Sequence, residues 1–302
     1  MDFTLKQVET FRTVYETTSV SDAARRLGVS PASVSATLGT LEAALDLRLF
    51  DRTRQRLVRT PEADLLYEEV RRLNVGLSAL SRKVAEIKGT AQPRLRLGSI
   101  HAYSGALIRD ALPRFRQRYG QTPLYLQLRD SNILRDMVVA GELDMALVAD
   151  ESELDGLLGY CLARLKAVVV FPRGHPFGRR ATLCAQDLGD ADLIVLNAHD
   201  ASRRRLDAWL ADAGVSVHCA IETPYSNTIC QLVAAGHGVG IANPASLTPQ
   251  DAQQLDYRVL DGPAHFECHM ILNANRPLSA AGKHCASCLR EAIAPLVARF
   301  GA

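Results

Sequence analysis

Arg52, Arg54, Arg56 and Arg59 fall at close, nearly alternating spacing, flanked by the apolar pairs Leu49-Phe50 and Leu57-Val58. Short apolar flanks around a polar, arginine-rich centre predict a β-hairpin whose guanidinium groups reach phosphates or a narrow minor groove. The same run also has the composition of a solvated basic loop. What precedes it favours the hairpin. Ser30 is placed to cap a helix with Pro31 at its first position, where a missing N–H costs nothing. Val34, Leu38 and Leu41 form the inner stripe of that helix, and Ala32, Ser33, Ser35, Ala36, Thr37 and Thr40 leave the rest of its surface small or hydroxylated. Short side chains let a helix axis sit close to base edges in a major groove.

A second set of residues offers hydrogen bonding rather than bond-breaking chemistry. Ser99, Ile100, His101 and Ser104 follow one apolar run, and Asp130, Ser131 and Asn132 follow another. Asn197 with His199, Tyr225-Ser226-Asn227, and Asn243 occupy similar places further on. In open α/β sheets, ligands sit beyond the carboxyl ends of strands, where helix N-termini point free N–H groups into the crevice. Each Ser or Asn is also what an ordinary helix cap requires. Brought together from two subdomains, they would form a binding set. Helix N-termini favour anionic groups, so the expected ligand is a small carboxylate or an amino-acid-like effector.

Other motifs lose their appeal on inspection. Gly236-His237-Gly238-Val239-Gly240 mimics a phosphate loop but follows a helix and precedes a strand, the reverse of the dinucleotide order. It predicts a helix C-cap and a tight turn. His284-Cys285-Ala286-Ser287-Cys288 has no second pair at ligand spacing and predicts ordinary helix packing. Neither a nucleophile elbow, a cofactor fingerprint nor a metal constellation is legible, so no catalytic residue, metal or cofactor is expected. Seven cysteines, an odd number, without a signal peptide point to reduced thiols in a cytoplasm. Cys230 is notable for lying on the helix that follows Tyr225. No apolar run approaches the ~18 residues of a membrane span.

These groups need elements to hold them. Val8, Phe11, Val14 and Tyr15 recur at helical spacing, and Ser21 is placed to cap a short second helix through Ala23, Ala24 and Leu27. Gly28 then supplies the sharp turn. After the hairpin, Leu66, Val70, Leu73, Leu77, Leu80, Val84 and Ile87 repeat at intervals of 4, 3, 4, 3, 4, 3. Such an a/d seam, lacking a local partner, buries itself against a second chain. Pro61 starts this linker helix over residues 61–89 and Gly89 stops it, for a length of roughly 42 Å. Thr90-Ala91-Gln92-Pro93 is expected to be a hinge. Charge is not decisive: residues 1–92 hold 14 Lys and Arg against 12 Asp and Glu, and residues 93–302 hold 21 of each. Any DNA affinity must come from placement and dimerisation.

From Arg94 onward strand and helix patterns alternate, through Leu95–Ile100, Leu124–Leu128, Leu143–Val148, Ala167–Phe171, Leu193–Leu196, Val215–Ile221 and Val239–Ala242. Repeated βα units predict parallel sheets with helices on both faces. About 200 residues in two such series suggest two lobes around a cleft.

The runs Phe11–Ala24, Leu27-Gly28-Val29-Ser30, Val34-Ser35, Leu41-Glu42 and Leu47–Arg52 resemble the head of LysR-type transcriptional regulators. The likeness extends, less specifically, through the whole chain. Pro31-Ala32 stands where that family often has Gln-Pro, and Ala63 where many members have Gly. The Tyr225–Asn227 stretch and Asn243-Pro244 look somewhat like the opine-responsive regulators of the family. The resemblance implies a multidomain α plus α/β chain. A winged helix-turn-helix (1–60) would be joined by the dimerisation helix (61–89) to a two-lobed effector domain (93–302) of periplasmic-binding-protein type. Lobe I would comprise about 93–167 and 268–302, and lobe II about 168–267. It also implies promoter DNA, a small effector and RNA polymerase as partners, a homotetramer, and no membrane. An α/β enzyme or solute-binding protein with an accessory helical head is the alternative.

Overall fold

A computed structural model of the chain describes residues 3–53, 56–88, 94–149 and 156–302. Arg54, the side chains of Arg52, Arg56 and Leu77, the expected helix stop Gly89 and the expected hinge at residues 90–93 lie outside the described residues. The chain divides into two compact units, Met1–Ser81 and Arg82–Ala302.

In the first unit, α1 (Leu5–Thr17) is capped reciprocally. Gln7 N–H donates to Thr4 Oγ1 and Thr4 N–H donates to Gln7 Oε1. Helix α2 (Val20–Leu27) begins at Ser19, not Ser21. Asp22 N–H donates to Ser19 Oγ, and Ser19 has the extended backbone that a cap needs. Ser21 already lies inside the first turn. Gly28 ends the helix at φ +68°, a left-handed conformation that favours glycine. Helix α3 (Pro31–Leu45) is capped as expected, Ser33 N–H donating to Ser30 Oγ at 3.2 Å. Strands β1 (Phe50–Thr53) and β2 (Arg56–Arg59) pair antiparallel, Phe50 opposite Arg59. Phe11, Val14, Ala24, Val34, Leu41 and Leu49 make the core of this unit. Helix α4 (Pro61–Ile87) is capped by Thr60, whose Oγ1 accepts from Ala63 N–H. The seam divides along its length. Leu66 and Val70 pack into the local core, while Leu73, Leu80, Val84 and Ile87 are exposed by 42, 62, 40 and 75%.

The second unit holds two sheets. Lobe I begins with β3 (Leu95–Ser99), then α5 (His101–Tyr103), which passes through one π turn (Ser104–Ile108) into α6 (Arg109–Tyr119). It continues through β4 (Leu124–Leu128), α7 (Ser131–Val139), β5 (Met145–Val148) and β6 (Leu157–Lys166). Lobe II follows with β7 (Val168–Pro172), β8 (Thr182–Leu183), β9 (Asp192–Leu196), α8 (Ala201–Asp212) and β10 (His218–Thr223). Then come α9 (Ser226–Ala234), β11 (Val239–Ala242) and β12 (Leu255–Leu260). The chain returns to lobe I as β13 (His265–Asn273) and α10 (Ala280–Phe300).

Sheet order is β4-β3-β5-β13-β6 in lobe I and β10-β9-β11-β7-β12-β8 in lobe II. The expectation of purely parallel sheets fails. The triplets β4-β3-β5 and β10-β9-β11 and the pair β12-β8 are parallel, but β13 runs antiparallel to β5 and β6, as β7 does to β11 and β12. The chain crosses between lobes at residues 166–168 and 260–265, and the strand that enters each lobe there, β7 or β13, runs antiparallel to both its neighbours. β6 and β12 escaped the sequence reading, because Gly159, Cys161 and Ala163 in β6 and Asp256 and Arg258 in β12 blur the alternation that marks a strand. At the second crossing Gly262 lies against Trp209, and a Cβ there would sit 2.7 Å from the indole.

Candidate functional site

Both lobes end their parallel triplets in the same way. In lobe I, α7 starts at Ser131, and the Ser131 hydroxyl accepts from Ala149 N–H, just past β5, at 3.1 Å. In lobe II, α9 starts at Ser226, and its hydroxyl accepts from Asn243 N–H, just past β11, at 3.2 Å. Each serine stitches a helix N-terminus to the end of the neighbouring strand. Neither helix has a side-chain cap at the preceding residue, Asp130 or Tyr225. The two N-termini face one cavity of about 90 Å³ between the lobes.

The wall of that cavity carries Ile100, His101, Asp130, Ser131, Tyr225, Ser226 and Asn243 from the expected set. The remaining expected residues lie elsewhere. Ser99 is fully buried and bonds the Ile100 carbonyl, and Ser104 Oγ donates to the His101 carbonyl at 2.7 Å. Asn132 and His199 are exposed, Asn197 is half-buried ahead of α8, and Asn227 on α9 is half-buried with its Oδ1 out of solvent. None of these six lines the cavity. Tyr103, Arg129, Leu196, Asp200, Pro224 and Phe266 do line it and were not anticipated. Asp200 has a local signal, since it caps α8 by accepting from Arg203 N–H. Tyr103 and Phe266 have none; one depends on helix register, the other on a hinge strand.

Two contacts join the lobes here. The His101 and Tyr225 rings meet with centroids 4.5 Å apart at 50°. Beneath them, Tyr103 Oη donates to the Glu267 carbonyl at 2.8 Å, and Asn243 Nδ2 donates to that same oxygen of Tyr103 at 3.4 Å. Asn243 Oδ1 in turn accepts from Ala245 N–H, so a buried amide in lobe II is held by groups on both sides. Arg129, Asp130 and Asp200 bring charges of both signs to the wall.

In the first unit, Pro31, Ala32, Ala36 and Thr40 are exposed along α3, and Ser33, Ser35 and Thr37 are half-exposed. Arg59 does not project freely. Its guanidinium lies 4.1 Å from the Tyr15 ring centroid and donates to the Tyr15 carbonyl at 2.7 Å. Tyr15 Oη bonds Asp64 at 2.6 Å, and burial together with that carboxylate pushes its pKa up to about 12. Glu42 has a role the sequence concealed. Its Oε1 accepts from the N–H groups of Leu49 (2.7 Å) and Phe50 (3.2 Å), fixing the hairpin to α3.

Residues 5–64 match the bacterial regulatory helix-turn-helix proteins of the lysR family, and residues 88–294 match the LysR substrate binding domain. The chain belongs to the LysR family. LysR-family proteins are transcriptional regulators with an effector-binding domain, so this chain is a DNA-binding regulator rather than an enzyme. It is similar to the transcriptional activator LysR of Escherichia coli, 28% identical over 91% of this chain and 89% of that one. The octopine catabolism/uptake operon regulatory protein OccR of Rhizobium meliloti is 28% identical over 80% of each chain. The crystal structure of HinK, a LysR family regulator from Pseudomonas aeruginosa, superposes with a TM-score of 0.58 at 19% identity, covering 98% of this chain and all of that one.

Within this LysR-type chain Cys230 is buried, and burial pushes its thiol up to about 12, which favours the thiol over the thiolate at neutral pH. No helix among the described residues is long and apolar enough to cross a membrane.

Proposed function

We propose that this regulator is switched by a small zwitterionic, amino-acid-like effector held between the lobes. The single observation behind the reading is the pair of α7 and α9 N-termini, from opposite lobes, facing one cavity without side-chain caps. The positive ends of two helix dipoles favour a carboxylate. Asp130 or Asp200 is placed to receive an ammonium, and Arg129 a second anionic group. At roughly 10–15 Å³ of such space per water the cavity holds several waters, hence a small polar solute. The similarity to OccR adds weight, octopine being an amino-acid derivative. Binding strengthens contact between lobes across His101 and Tyr225, and the lobe angle changes the spacing of DNA heads in a tetramer.

In that assembly the exposed seam of α4 pairs two chains. An apolar groove of about 120 Å³, lined by Phe3, Leu45, Leu66 and Leu73 among others, continues the seam into the first unit. The exposed face of α3, with Ser30, Pro31, Ala32, Ser33, Ser35 and Thr37, enters a major groove while Arg52, Arg54 and Arg56 of the wing reach phosphates. Ser21 lies on the exposed side of α2, within reach of the backbone. The bound regulator works in the cytoplasm on RNA polymerase at its promoter.

Trp209, the sole tryptophan, packs on the inter-lobe crossing and reports the effector step. Amino acids and opines are expected to change its fluorescence saturably and to shift the melting temperature upward, with neutral amides and amines inert. A response to neutral solutes alone, or none across this chemical class, refutes the reading.

A further inference from the structure

Strand β13 carries His265, Glu267 and His269 at every second position, hence on one face, and β6 places Cys161 opposite His269. The alternate residues Phe266, Cys268 and Met270 enter the core. The ligating atoms of Cys161, Glu267 and His269 all lie within 4.8 Å of one another. His269 Nε2 is 2.8 Å from Glu267 Oε2, and Arg164 holds the other carboxylate oxygen at 2.6 Å.

His265 adds an independent observation. Its Nδ1 lies 2.7 Å from the Pro263 carbonyl, which can only accept, so Nδ1 carries a proton. Its Nε2 faces Glu267 Oε1, the oxygen that Arg164 also holds, at 3.4 Å. An imidazole anchored through N–H to a backbone carbonyl is also how metal-binding histidines are oriented.

We infer that Cys161, Glu267 and His269, with His265 beside them, form a site for one divalent transition metal of zinc type. Thiolate, imidazole and carboxylate together suit zinc and its neighbours, whereas magnesium and calcium take oxygen ligands. Ligand atoms around a tetrahedral ion stand about 3.4 Å apart, so side-chain rotation of roughly an ångström closes the set. Cys161 is exposed, which gives the ion an entry path. Coordination sends the thiol proton to solvent and moves the proton off His269 Nε2, to Nδ1 or to solvent, as that lone pair turns to the metal. Affinity therefore falls in acid. β6 and β13 are the strands that run between the lobes, and the main-chain carbonyl of Glu267 accepts the Tyr103 hydroxyl behind the cavity. The ion thus clamps the two strands beside the crossing. The inference does not rest on the effector reading.

The test uses the full-length protein, reduced and stripped with EDTA, titrated with Co²⁺ by absorption and with Zn²⁺ by calorimetry. One ion per chain and a near-ultraviolet thiolate-to-cobalt band are expected. Cys161→Ser, an exposed substitution on an edge strand, should abolish that band, and His269→Gln should weaken Zn²⁺ by at least about tenfold. Cys219→Ser, at an exposed thiol elsewhere, should change neither. The inference is overturned by absence of the band, by its persistence in Cys161→Ser, or by Zn²⁺ affinity unchanged in His269→Gln.

Discussion

Ser131→Ala and Ser226→Ala probe the floor of the inter-lobe cavity with the same change in two environments. In each, one hydroxyl that accepts a backbone N–H is deleted. Asn243, the donor to Ser226, is 1% exposed, whereas Ala149, the donor to Ser131, is half-buried. An N–H left unbonded in the interior costs about 1–3 kcal/mol, and one that water can reach costs less. Ser226→Ala should therefore cost about 2 kcal/mol and Ser131→Ala about 1 kcal/mol or below. For a unit of this size each kcal/mol is worth about 2–4 °C. Calorimetric scans should then show the effector-domain transition lowered by about 4–8 °C in the first variant and about 2–4 °C in the second. The two donors, Ala149 and Asn243, lie in different lobes, so the double variant should be additive within about 0.5 kcal/mol. A smaller loss in Ser226→Ala than in Ser131→Ala would refute the reasoning that burial of the donor sets the cost.

Glu42→Ala removes the acceptor for two backbone donors at the root of the wing, and should cost the head about 1–3 kcal/mol and weaken operator binding in a gel-shift titration. Leu80→Ser with Ile87→Ser, at positions 62% and 75% exposed, should leave the single-chain fold intact while sedimentation shifts toward monomer; unchanged sedimentation would sink the seam. Under a thiol reagent at pH 7, Cys161 and Cys219 should react rapidly, and Cys230 and Cys285, both pushed up to about 12 by burial, only upon unfolding. Because these two folded-state values lie above the unfolded thiol value, their contribution to stability is complete below about pH 8.5 and is lost progressively as pH rises toward 12. Urea midpoints measured from pH 7 to 10 should fall accordingly.

Local spacing determined a good deal by itself. The cap at Ser30, the turn at Gly28, the buried stripe Val34–Leu38–Leu41 and the a/d seam all follow from short-range periodicity and cap chemistry, which need no knowledge of distant residues. The helix N-termini at Ser131 and Ser226 were legible for the same reason. Local patterns also misled where two adjacent residues satisfy one rule: Ser19 and Ser21 both suit a cap, and only backbone conformation chose Ser19. What the tertiary structure decided is which of many polar loop residues share a cavity. Asn132, Asn197 and Asn227 have the right types at the right strand ends yet do not line it, while Tyr103 and Phe266, far apart in sequence, do. The same holds for Cys161 facing His269. Those meetings depend on two crossings of the chain between lobes, which fix strand direction and register over long separations. Residue type and local period carry no record of such closure.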